Sequence, residues 1–123
     1  GFNKWLKQNN PTLHNKIIDK VSILSVEKEI LNNSIKYFFE AKHKDGLPLD
    51  PVQRFHLSNG ASLDEIHFMA NPSKKGIANS AGLMVNYKYQ MDNLEKNHEQ
   101  YFSRETIASS KSLLSKFNKV KKS

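Results

Sequence analysis

His56 is the side chain in this sequence best suited to move a proton. It stands in the run Pro51-Val52-Gln53-Arg54-Phe55-His56-Leu57-Ser58-Asn59-Gly60-Ala61, just ahead of an Asn-Gly pair. Imidazole ordinarily titrates near neutral pH, so a histidine held beside a tight turn can act as general acid, general base or electrostatic steering group. Metal chemistry is poorly supplied. The five histidines are His14, His43, His56, His67 and His98, and no two have the i, i+4 spacing that puts a pair of ligands on one helix face. With no cysteine, a disulfide framework, a thiolate nucleophile and a Cys-based zinc site are all excluded. Nor is there a Gly-x-Ser-x-Gly elbow, a Walker loop or a dinucleotide fingerprint. On its residues alone, His56 is also compatible with a structural or surface role.

The elements that must position this histidine change period around residue 46. Asn10 can cap a helix that has Pro11 at its first position, and Leu13, Ile17, Ile18 and Val21 follow at helical spacing. A second helix is predicted from about Ser25 to His43. Its apolar stripe is Ile30, Leu31, Ile35, Phe38 and Phe39, with Glu27, Lys28, Lys36 and Lys42 towards water. Asp45-Gly46-Leu47-Pro48 ends the helical part: Gly46 offers a left-handed cap, and Pro48 and Pro51 block continuation.

Residues 52–57 and 62–69 then flank Asn59-Gly60, a strong signal for a two-residue turn, and a β-hairpin is predicted at 52–69. Its pairing would set Phe55, Leu57, Ile66 and Phe68 on a core face. Arg54, His56, Glu65 and His67 would share the other face, a cleft wall or solvated surface. Residues 71–78 are turn-rich. From 82 to 91, Leu83, Val85, Tyr87, Tyr89 and Met91 alternate with more polar residues, as in a strand. Asp92 to Tyr101 is polar and helix-compatible. Ser103 can cap a last helix to about Phe117, with Glu105 in its first turn.

A length of 123 residues fits one domain. The net charge of +7 attracts polyanions: nucleic acid, an acidic membrane surface or a phosphorylated cofactor. The densest basic cluster, Lys119-Val120-Lys121-Lys122-Ser123, reads as a frayed, solvated tail. No apolar run approaches the ~18 residues of a membrane span. The opening Gly1-Phe2-Asn3-Lys4-Trp5-Leu6 lacks an initiating Met and is no signal peptide, so the chain is expected to be a piece of something longer.

Several motifs together resemble the C-terminal catalytic region of the malonyl-CoA decarboxylase family. They are Gly1-Phe2-x-x-Trp5-Leu6, Pro48-Leu49-Asp50-Pro51-Val52, Phe55-His56-Leu57-x-Asn59-Gly60-Ala61, Lys75-Gly76, the run from Ser80 to Tyr89, and Asn97-His98-Glu99-x-Tyr101. Residues 7–44 match weakly. The resemblance implies an α+β fold, part of an acyltransferase-like (GNAT) mixed sheet. The chain would be one piece, 1–123, with a helical segment at 1–46 and hairpin, strand and C-terminal helix at 47–123.

The implied reaction is conversion of malonyl-CoA to acetyl-CoA and carbon dioxide, with no metal or organic cofactor. His56 matches the family's histidine, for proton donation or for steering the departing carboxylate. Tyr89 and Asn86 are expected as substrate-wall or supporting residues. Lying three apart on a strand, they would face opposite sides. The family's serine would lie just upstream of Gly1, so the chain alone is expected to have little or no activity. The implied partners are the rest of the parent enzyme and, in that parent, further copies of itself. The implied compartment is the cytoplasm in a bacterium or the mitochondrion in a eukaryote.

Two other readings compete. Another acyl-CoA-handling, acyltransferase-like domain would transfer acyl groups without releasing carbon dioxide. A basic nucleic-acid-binding module would show a steep salt dependence of oligonucleotide affinity, although no clustered basic face favours it.

Overall fold

Asn10 joins the first two helices. Its backbone N–H closes α1 (Phe2–Asn9) on Leu6 O at 2.7 Å, and its side-chain oxygen accepts from Leu13 N at 3.2 Å, capping α2 (Pro11–Ile18) as the sequence predicts. The computed structural model describes residues 1–18, 27–68, 83–104 and 106–122. Val21, the predicted helix start at Ser25, Met69, the turn-rich stretch 71–78 and Glu105 lie outside the described residues.

The third helix, α3 (Glu27–Glu40), runs through the core. It buries Ile30, Ile35, Tyr37, Phe38 and Phe39 in one cluster with Phe2 and Leu6 of α1, Leu13 and Ile17 of α2, and Leu113 and Val120 of the last helix. The Phe2 and Trp5 rings of the opening motif stand 5.6 and 5.4 Å from the Tyr37 ring. Aromatic pairs at these separations add stability beyond their buried area.

The predicted hairpin at 52–69 is not there. Residues Pro51–Ser58 form a helix, α4. The local cause is Asp50. Its Oδ2 accepts from Gln53 N at 3.0 Å, an N-cap bond, while Pro51 takes the first helical position, where a missing N–H costs nothing. The Asn59-Gly60 pair turns the chain at the helix C-terminus instead of between strands. Asn59 N and Ala61 N both reach His56 O at 3.1 Å, and Gly60 adopts φ 91°. The expected facing is corrected with it. Leu57 is buried, but Phe55 is 62% exposed rather than core, and Arg54, His56, Glu65 and His67 do not share one face.

Asp50 also accepts from the buried Tyr37 O–H at 2.9 Å. Asp50→Ala removes the cap and orphans that phenol together. It is expected to destabilise the chain by about 2–4 kcal/mol in urea denaturation, against ~1 kcal/mol for a simple cap loss.

The strand after α4, β1 (Ser62–Phe68), pairs antiparallel with β2 (Leu83–Lys88). The register runs from Ser62↔Lys88 to Phe68↔Leu83, with an irregularity between Leu63 and Glu65. On the other edge of β1, Leu63 N donates to Ala108 O at 2.9 Å and Ser110 N to Leu63 O at 2.7 Å. The predicted strand at 82–91 is thus present but ends at Lys88. A short 3-10 turn, Met91–Asn93, leads into α5 (Leu94–Ser103).

Ser103 ends that helix instead of starting the last one, and Arg104 follows in the left-handed conformation at φ 62°. The last helix is α6 (Lys111–Lys122), where Ser110 Oγ accepts from Leu113 N at 3.1 Å. The basic tail is therefore helical through Lys122. Val120 is buried, and Phe117 stacks flat on Phe39 with centroids 4.5 Å apart. The fold is α+β. Among the described residues no helix is long and apolar enough to cross a membrane.

Candidate active site

His56 lies on the last turn of α4, half buried, with its ring laid over Tyr87 of β2 at a centroid distance of 4.3 Å and an interplanar angle of 17°. Its Nδ1 stands 2.7 Å from the hydroxyl of Tyr89, one residue past the end of β2. The exposed Phe55 ring meets it edge-on. The Tyr87 ring covers one face of the imidazole and the Tyr89 hydroxyl engages Nδ1, so Nε2 is the nitrogen left for other chemistry.

Beneath Tyr87 lies a polar seam. Burial pushes the Tyr87 phenol well above its ordinary range, and Asp50 and Tyr89 push it further the same way. Burial does the same to Tyr37, with the Asp50 charge and hydrogen bond adding to it. Both therefore remain neutral phenols across the physiological range. Asp50 links the N-cap of α4 to this seam. Gly1 packs here as well: a Cβ built on it would stand 2.8 Å from Asp50 Oδ1 and 3.1 Å from Tyr37 Oη.

The turn that carries His56 is held from α5. The His98 ring nitrogen Nδ1 donates to Ser58 O at 2.7 Å, and Asn97 Nδ2 donates to Gly60 O at 3.0 Å. Gln53, fully buried on α4, donates from Nε2 to Phe38 O at 2.6 Å, satisfying a carbonyl in the last turn of α3. The histidine thus sits on a short helix tied at one end to α3 and at the other to α5.

Of the residues singled out from sequence, the structure brings His56 and Tyr89 together and sends Asn86 elsewhere. Asn86 Nδ2 donates to His67 Nε2 at 2.9 Å, and Glu65 Oε2 lies 3.3 Å from the same nitrogen. Arg54 is drawn off to Asp45 at 3.5 Å. Tyr87 was not singled out, yet it makes the closest ring contact to His56. The alternation placing Tyr87 and Tyr89 on one side of the chain was the available signal. Among the described residues no cluster of three or more His, Asp or Glu could hold a metal ion.

The arrangement defines an α+β domain that presents one imidazole from a pinned helix end beside two tyrosines. Residues 4–123 match the model of the malonyl-CoA decarboxylase C-terminal domain. The mitochondrial malonyl-CoA decarboxylases of Rattus norvegicus and Mus musculus are each 42% identical to this chain over 79 residues, covering 64% of this chain and 16% of theirs. Among solved structures, malonyl-CoA decarboxylase from Rhodopseudomonas palustris superposes with a TM-score of 0.82 at 36% identity, covering 94% of this chain and 31% of that one. The enzyme from Agrobacterium vitis gives 0.75 at 33%, covering 88% and 29%. The chain belongs to the malonyl-CoA decarboxylase family, within its C-terminal domain. It spans less than a third of the solved relatives and about a sixth of the mitochondrial ones.

Proposed function

We propose that this chain supplies the proton-handling part of a malonyl-CoA decarboxylase site, with His56 as the catalytic residue and Tyr89 as its positioning partner. The observation that carries the reading is the His56 Nδ1–Tyr89 Oη contact at 2.7 Å on a ring stacked over Tyr87. In the protonated ring both nitrogens carry a proton: Nδ1–H donates to the Tyr89 hydroxyl oxygen, and Nε2–H is the one not engaged by Tyr89.

The chemistry asks for one proton. When the C–C bond to the carboxylate breaks, its electron pair stays on the α-carbon as an enolate of the thioester and carbon dioxide leaves. The α-carbon then takes a proton and the product is acetyl-CoA. His56 in its protonated form delivers that proton from Nε2, and solvent reprotonates it. Before that step its N–H and positive charge favour the carboxylate in one orientation, out of the plane of the thioester. Gly1 packs on Asp50 and Tyr37, and Asp50 is the charge felt by Tyr87 under the His56 ring. Asn86, bonded to His67, has no part in this reading.

Tyr89→Phe tests the arrangement. It keeps the ring and removes the hydroxyl. In a full-length decarboxylase carrying this segment, kcat is expected to fall about tenfold while KM for malonyl-CoA stays nearly constant, the mark of a lost positioning bond. Unchanged kcat would remove Tyr89 from the mechanism.

A further inference from the structure

Away from His56, a cleft of about 680 Å³ opens between the end of α3, helix α5 and helix α6. Four lysines line it from three parts of the fold: Lys42 beyond α3, Lys96 on α5, and Lys111 and Lys121 near the two ends of α6. No described carboxylate lines it, although the chain has 12 acidic residues. Among the described residues none of the four lysines is in an ion pair. An anion bound in this concavity would sit in the summed positive potential of these ammonium groups. Desolvation also holds the Lys42 ammonium below its ordinary pKa, and a bound anion would reverse that.

Two more features narrow the ligand. The start of α6 opens into the cleft with no acidic residue in its first turn, so its backbone partial charge adds to that of the lysines. The wall is not purely polar, since Ile107, Leu114 and Phe117 also line it, with Leu114 44% exposed. A cleft of this size with a few convergent polar groups and an apolar wall suits a small organic ligand better than a bare ion. His56, Tyr87 and Tyr89 do not line it.

We propose that this cleft binds a nucleotide, its phosphates among Lys42, Lys96, Lys111 and Lys121 and its apolar portion against Ile107, Leu114 and Phe117. The test is calorimetric titration of the chain with ADP, inorganic pyrophosphate and adenosine. The same titrations are run on the double variant Lys96→Glu/Lys111→Glu, whose two sites are exposed and whose fold is checked by circular dichroism. ADP should bind at least about tenfold more tightly than either half-ligand. The double variant should lose about tenfold or more in ADP affinity, and added salt should weaken binding. Absence of ADP binding to the folded chain, pyrophosphate binding as tight as ADP, or a double variant with unaltered affinity would each overturn the proposal.

One further arm separates two sources of the nucleotide, and only this arm rests on the decarboxylase reading. In the full-length enzyme the double variant should keep KM for malonyl-CoA, as expected for a separate nucleotide site; a parallel rise in KM would assign the cleft to the substrate and overturn the proposal.

Discussion

Replacing His56 by Asn in a full-length decarboxylase that carries this segment should lower kcat by ~10²- to 10⁴-fold, the range for loss of a positioned general acid. KM for malonyl-CoA should change by less than about threefold, because the group acts on the transition state more than on the bound ground state. Asparagine is the sharper choice over alanine. It is polar and of similar reach, so it can still meet the Tyr89 hydroxyl and fill the space over Tyr87. It cannot carry a proton. The fold should tolerate the change, since His56 is half buried and its backbone carbonyl, not its side chain, closes the turn onto Asn59 and Ala61. A variant that turns over at the parent rate, with its helix content intact, would take His56 out of the chemistry. A variant that loses activity through a large rise in KM would make His56 a binding group instead.

The sequence made the histidine legible but not the element that carries it. Two local signals competed over residues 50–61. Asp50 followed by Pro51 is a helix start, whereas Asn59-Gly60 after a run containing Phe and Leu suggests a hairpin. The backbone requirement common to both outcomes is a residue at positive φ, which Gly60 supplies after a helix as readily as between strands. Over eight residues the apolar pattern could not arbitrate, because α4 inverts the usual polarity. It buries Gln53, whose amide is spent on an α3 carbonyl, and leaves Val52 and Phe55 in the open beside the site. Such local contradictions are expected where function constrains a surface.

The N-terminal helices had no such conflict, and there the cap at Asn10 and the apolar spacing agreed. Tyr89 and Asn86 meet different partners, His56 and His67, but Tyr89 lies one residue past β2, so strand parity had to be carried beyond the strand to set it with Tyr87. What parity could not show is that α4 would lay an imidazole across Tyr87, since that contact joins elements 31 residues apart. The Asn97-His98 pair was visible as a motif, but its work as a tie to the Ser58 and Gly60 carbonyls was not.

That tie makes Gly60 the position where stability and the site are most tightly coupled, and Gly60→Ala is the second large effect. At φ 91° any side chain is strained, which alone costs about 1–2 kcal/mol. Space makes it worse. The new Cβ would lie 2.5 Å from Leu94 O and 3.0 Å from Leu94 Cα, backbone atoms at the start of α5 that cannot swing aside. Relief requires α5 to retreat from α4, which pulls Asn97 from Gly60 O and His98 from Ser58 O. The expected loss is about 3–5 kcal/mol, at the upper end for a single substitution.

Gly46→Ala is the matched comparison. Its φ of 81° brings similar strain, but the nearest atom is Cδ of the flexible Arg104 side chain at 3.2 Å, so about 1–2 kcal/mol is expected. Urea denaturation of the two variants side by side separates backbone strain from the clash. If both lose the same amount, α5 is not braced against this turn, and the account of how His56 is held in place fails with it.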